Sequence, residues 1–158
     1  MTSAGDIKGD RGGMVEITEK PAVGRRAVAT GTIRLKEVTV EAIRREEVKK
    51  GDVLTVARVA AIQAVKETPR MIPMCHPIPI TGVEVDFQME PDRIRATVSV
   101  TSVGRTGVEM EALAGVSAAL LNVWDMVKYR EKDGTGNYPS TAIEEIRVVE
   151  KRKGVCWP

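Results

Sequence analysis

Aromatic residues are scarce in this chain, with one Phe, two Tyr and two Trp among 158 residues. A core must therefore be built from Val, Ile, Ala, Leu and Met, and a sheet face of stacking aromatics of the kind that reads single-stranded RNA is ruled out. Histidine and cysteine are nearly absent as well, at one and two residues. With no close second Cys or His, the tetrahedral spacing of a metal site is missing and no metal is expected. Cys75 and Cys156 lie far apart in sequence, which argues against a disulfide framework and fits a reducing cytoplasm. Neither sign of charge dominates. The formal net charge is +2, too mild for a general nucleic-acid or membrane field, so any basic site must be local. No stretch approaches the roughly 20 apolar residues of a membrane span, and the first thirteen residues lack the apolar run of a signal peptide.

What is present fits one domain: a glycine-rich leader over 1–13, a single domain over 14–151 and a basic tail over 152–158. Over 26–35, Ala27, Ala29, Gly31 and Ile33 alternate with Val28, Thr30, Thr32 and Arg34, which predicts a strand whose small residues admit close packing. Lys20 and Arg25 precede it, either solvated or presented by a loop. Thr39 is expected to cap a helix over 40–48 that Gly51 stops, and Asp52 to cap a buried helix over 53–66 that Pro69 keeps from extending. Lys50 falls in the junction, beside a helix amino end that favours anions. Alternation over 83–89 and 94–100 around Pro91-Asp92 predicts a hairpin with a polar outer face, and 143–150 a last strand. Strand, two helices, hairpin, helix, strand is the split βαβ order of an α+β, ferredoxin-like sandwich. Its first crossover is elaborated, its sheet antiparallel and its helices on one face.

The longest helical pattern, 106–132, organises the rest. Thr106 and Glu109 have capping-box spacing, and the apolar residues that follow point in nearly every direction. The excess apolar surface on this helix and on 53–66 predicts a homo-oligomer. At about 100° per residue, Glu111, Asn122, Asp125 and Lys128 share one polar sector of roughly 120°. Glu109 lies nearly opposite Asp125 and roughly 24 Å along the axis at the usual helical rise. If both serve one small-molecule site, they come from different copies; otherwise they are a cap and an ion pair on a partly buried helix. Upstream, Met74, Cys75 and His76 lie among three prolines that keep the segment extended. Neighbouring side chains then point to opposite sides, which argues against Cys75 and His76 as nucleophile and base. A single His on a rigid segment is still a candidate ligand contact.

Three stretches, taken in order, are specific: Lys50-Gly51-Asp52-Val53-Leu54 with Ala57-Arg58-Val59, then Ile72-Pro73-Met74-Cys75-His76-Pro77, then Gly107-Val108-Glu109-Met110-Glu111-Ala112-Leu113 running to Asp125-Met126-Val127-Lys128. Together they closely resemble the cyclic pyranopterin monophosphate synthase family, molybdenum cofactor biosynthesis protein C. The resemblance implies a ferredoxin-like domain in a hexamer, a trimer of dimers, with sites between subunits. It also implies a GTP-derived small-molecule substrate, 3′,8-cyclo-7,8-dihydro-GTP, converted to cyclic pyranopterin monophosphate and diphosphate without metal or organic cofactor. By motif, Asp125 matches the catalytic aspartate, and Lys50 and Lys128 the essential lysines. Met74, Cys75 and His76 match one substrate-contacting segment and Met110 and Glu111 another, with Glu109, Lys20, Arg25 and Lys151 at further pocket positions. Val23, Met74 and Ile78 depart from the family pattern, and a longer linker over 133–141 leaves the register of Lys151 open. Two rival readings are a non-catalytic nucleotide- or RNA-binding module on the same fold and a purely structural oligomer with solvated lysines.

Overall fold

In a computed structural model describing residues 12–154, four strands and four helices follow in the order β1 (Val23–Arg34), α1 (Glu37–Arg44), α2 (Val53–Lys66), α3 (Thr68–Met71), β2 (Ile80–Glu90), β3 (Arg93–Gly104), α4 (Glu109–Glu131) and β4 (Ala142–Gly154). Residues 1–11 of the expected leader, and Cys156 in the expected tail, lie outside the described residues. The sheet is antiparallel in the order β2-β3-β1-β4. That is the ferredoxin-like arrangement.

The alternation of the strands sets the core. Across β2, β3 and β1 the inner-face residues fall into ladders: Val83, Val100 and Ala27; Val85, Val98 and Ala29; Phe87, Ala96 and Gly31; Met89, Ile94 and Ile33. The outer face sets Glu84 opposite Ser99, Asp86 opposite Thr97 and Gln88 opposite Arg95, as a solvated hairpin face does. Helix α4 lies over the small residues of β1. A Cβ on Gly31 would come within 2.7 Å of Val116, 2.9 Å of Leu120 and 3.0 Å of Ile146, so the absence of a side chain there lets the helix settle onto the strand.

Several local expectations yield to long-range contacts. Asp52 does cap α2, accepting from the Thr55 N–H at 3.0 Å. Thr39, however, lies inside α1 and is fully buried, donating its hydroxyl to the Glu131 carboxylate 92 positions away. Gly51 does not end α1 either; the helix stops at Arg44, Glu46 takes φ 58°, and Gly51 turns the junction at φ 110°. Thr106 makes no cap, because α4 begins three residues later behind Val108. Helix α2 buries only the stripe Val53, Ala57, Ala61 and Val65, leaving Val56 and Val59 exposed. Helix α4 has the length and apolar content to cross a membrane, more than the sequence reading credited it with, and 56% of that stretch is packed inside the fold.

Strand β4 outruns its expected end, pairing Arg152, Lys153 and Gly154 with Arg26, Arg25 and Gly24. Two irregularities in its pairing with β1, near Val28/Ala29 and Thr30/Thr32, shift the register. Glu145, at φ 58°, lies at the second of them. Lys151 thereby comes opposite Ala27, on the side of the sheet that faces α4.

Candidate active site

The residues singled out from sequence collect at the two ends of α4. At its carboxyl end, Asp125 receives Lys50 Nζ on Oδ2 at 2.8 Å and Lys128 Nζ on Oδ1 at 2.9 Å. Lys50 also donates to the Asp125 backbone carbonyl at 3.1 Å. The Lys128 contact follows from i, i+3 spacing on the helix. The Lys50 contact is long-range: the junction between α1 and α2 is folded back against α4. The hydrogen bond from Lys50 and then that from Lys128 hold the Asp125 carboxyl down at about 2, while Asp125 raises Lys128. These three side chains keep 46, 56 and 44% of their surface exposed. Ion pairs so exposed stabilise a fold little, so folding alone does not account for the arrangement.

A different environment occupies the amino end. A cleft of about 350 Å³ is lined by Lys20, Met74, Cys75, His76, Glu109, Met110 and Glu111, together with Val15, Ile17, Ile78, Thr106 and Gly107. One wall is the segment over 72–79. Thr68 anchors its start by donating to the carbonyls of Ala64 and Val65, a turn at Pro73 and Met74 interrupts the expected extension, and Ser102 holds its end by donating to the Pro79 carbonyl at 2.8 Å. That turn lets Cys75 and His76 line the same cleft. Ile17 and Lys20 line the cleft from a segment held where Arg105 donates to the carbonyls of Thr18 and Lys20.

The charges in the cleft are set by burial. Glu111 is 3% exposed, not part of the wet stripe that helical projection assigned it to. Burial pushes its carboxyl up, its own backbone N–H works against that, and the neighbouring Glu109 adds to it. Burial, followed by Glu111, also pushes the Cys75 thiol up, away from the thiolate a nucleophile needs. Burial likewise acts to raise Glu109, but Lys151, its own backbone and Arg25 leave it below its ordinary value. Lys151 reaches Glu109 Oε1 at 2.5 Å, which brings these two expected pocket residues together. The Glu109 carboxylate folds back over Gly107, where a Cβ would meet Oε2 at 2.0 Å; only glycine leaves that space free. Arg25 is neither solvated nor on a loop. It lies within β1, 7% exposed, and donates Nε to the Gly104 carbonyl at 3.3 Å.

Sequence reasoning missed Val15 and Ile17 in the lining of the cleft and Arg105 as the residue that holds the segment over 17–20, and no local pattern marks them. It also passed over Glu131, a fully buried carboxylate that accepts from the Lys36 N–H, Thr39 and Thr141. Among the described residues no three His, Cys, Asp or Glu side chains converge to hold a metal ion.

The model of the MoaC family matches residues 14–154. The chain belongs to the MoaC family. Its similarity extends to individual members: it is 60% identical over 153 residues, 97% of this chain and 96% of the relative, to a protein of Methanococcoides burtonii named "Probable cyclic pyranopterin monophosphate synthase". Proteins of the same name from Archaeoglobus fulgidus and Aeropyrum pernix are each 60% identical, over 89% of this chain and 90% of the relative in the first case and over 90% and 97% in the second. Both ends of α4 lie within the family match, so the MoaC family resemblance expected from the three motifs is shown over nearly the whole described chain.

Proposed function

We propose that this chain is a cyclic pyranopterin monophosphate synthase, a lyase that converts 3′,8-cyclo-7,8-dihydro-GTP to cyclic pyranopterin monophosphate and diphosphate in molybdenum cofactor biosynthesis. One observation carries the site assignment. The residues matched to the family's catalytic and pocket positions form two groups at opposite ends of a single helix, one a cluster of free-standing charges and the other a shaped cleft.

The chemistry divides in the same way. A triphosphate needs cations, and a leaving diphosphate needs its developing charge stabilised, which Lys50 and Lys128 supply. The guanine-derived ring must be opened and rebuilt, which needs a group that takes and returns protons. Asp125, held low between two ammonium groups, is a poor base as it stands. Substrate phosphates that draw Lys50 and Lys128 toward themselves release it, and its affinity for a proton rises as the cations leave. The cleft holds the ring: Glu111 sits at low dielectric to hydrogen-bond the donor edge of the base, Cys75, Met74 and Met110 give apolar contact, His76 offers a ring nitrogen, Lys20 adds positive charge, and Arg25, buried in β1, favours the charged form of Glu109. Glu109 and Lys151 brace each other at the rim.

Roughly 24 Å of helix separates the two groups, so one substrate meets both only where two copies of the chain adjoin. The exposed Val56 and Val59 of α2 and Leu121 of α4 supply apolar surface for such an assembly. We assign it as a hexamer, a trimer of dimers, in the cytoplasm, with no nucleic acid or membrane partner and no cofactor. The test is to incubate the purified protein with 3′,8-cyclo-7,8-dihydro-GTP and follow diphosphate and cyclic product, with the oligomer sized by light scattering. Stoichiometric diphosphate and cyclic phosphate are expected from a hexamer. Binding of the nucleotide with no diphosphate released would overturn the proposal.

A further inference from the structure

The segment over 36–50 is a strap whose two ends are both tied to the last turns of α4. At the far end, the Lys36 N–H and the Thr39 hydroxyl donate to the Glu131 carboxylate, and Lys36 Nζ donates to the Arg130 carbonyl at 3.2 Å. At the near end, the Lys49 N–H donates to the Tyr129 hydroxyl at 3.1 Å, and the Lys49 ammonium lies 5.3 Å from the centre of the Tyr129 ring. The next residue is Lys50. Tyr129 follows Lys128 directly and stands four residues after Asp125, so hydroxyl, ammonium and carboxylate share one face of the helix.

From this geometry we infer that Tyr129 is a positioning residue for Lys50: it fixes the backbone one residue ahead, so that the ammonium is delivered onto Asp125 rather than into solvent. The inference rests on the proposed role of Lys50. The reason a clamp is needed is entropic. A lysine on an exposed junction loses much of its freedom when held in one geometry, and an exposed ion pair returns little for it. Tying down the neighbouring peptide removes the backbone share of that cost, while the ring adds a cation–π contact with Lys49. Glu131 does the corresponding task at the buried end of the strap, where its loss would affect folding as a whole. Tyr129, exposed and at the surface, acts at the near end, where its ring also lies 6.0 Å from the Arg130 guanidinium.

Tyr129→Phe keeps the ring and removes the acceptor; Tyr129→Ala removes both. Losing one neutral hydrogen bond corresponds to about a fivefold fall in kcat/KM for Tyr129→Phe, and losing the ring contact as well takes Tyr129→Ala to roughly thirtyfold. A thermal melt of Tyr129→Phe stays within a few degrees of the wild-type midpoint, as the loss of one surface hydrogen bond dictates. The decisive readout is coupling: Tyr129→Phe has no further effect on the residual rate of Lys50→Ala, and carboxyl 13C NMR of Tyr129→Phe finds the Asp125 titration moved up toward the ordinary carboxylate value. Equal losses in the wild-type and Lys50→Ala backgrounds, or an Asp125 titration that does not move, would overturn the inference. Full activity in Lys50→Ala would instead overturn the role given to Lys50, while the NMR titration still judges the clamp.

Discussion

The two ends of α4 treat a carboxylate in opposite ways. Asp125 stands in solvent with two lysines on it and is held at about 2. Glu111 is packed away at 3% exposure, and burial drives its carboxyl upward. Fourteen positions of one helix separate a group that is charged because its partners require it from a group that resists charge because its surroundings cannot solvate it. On the proposed reading each end is half of what a reaction on a nucleoside triphosphate needs: the exposed one has free-standing charges but no walls, and the cleft has walls but no such cluster.

The contrast can be broken most severely at Asp125. Asp125→Ala should lower kcat by about two to four orders of magnitude, as loss of a proton-transfer group does, and leave the size-exclusion profile unchanged. A variant within tenfold of wild type would remove Asp125 from the chemistry. At the other end, Gly107→Ala should force the Glu109 carboxylate off its seat and detach it from Lys151, raising KM about tenfold with kcat nearly preserved. Steady-state kinetics separates the two, and a loss confined to kcat would contradict the division of labour.

A smaller effect distinguishes the carboxylates by pH. Because the folded value of Glu111 is raised above its unfolded value, the folded state holds more protons in the window just above 4.5, and stability falls as pH rises through the folded value. Glu111→Gln removes that dependence. Its melting temperature should match wild type near pH 4 and exceed it at pH 7 to 8. A variant less stable than wild type at pH 8 would show that the buried carboxylate is satisfied rather than strained. Asp125 runs the other way: its depressed value means the triad is intact above 3.8 and is lost as pH falls toward 2. Lys128→Ala should move that titration up, measured by 13C NMR, with almost no change in the melt. An unmoved titration would mean that Lys128 does not hold the carboxylate.

The pattern of success in the sequence reading follows the range of the forces. The hairpin around Pro91-Asp92, the bounds of α2 and the contact between Asp125 and Lys128 were legible, because each depends on neighbours two to four residues apart. So was close packing over β1, which the small residues Ala27, Ala29 and Gly31 announce and which α4 supplies. Thr39 and Glu109 were misread as local caps because their partners, Glu131 and Lys151, come from the far side of the chain. Projection placed Glu111 with the polar residues because a helical wheel records angle and not depth. Resemblance supplied Met74, Cys75 and His76 as a group; the turn at Pro73 and Met74 that aims Cys75 and His76 into one cleft could be seen only in the fold.

That the two ends act together across a subunit boundary is the central claim, and mixed oligomers test it most directly. One chain would carry Lys50→Ala with Asp125→Ala and the other His76→Ala with Glu109→Ala, co-expressed in equal amounts and assayed for diphosphate release beside each parent. Each parent alone should be inactive, and random mixing should restore about a quarter of the sites, since a site then draws its intact charged end from one chain and its intact cleft from another. Mixed oligomers no more active than their parents would mean that a working site lies within a single chain.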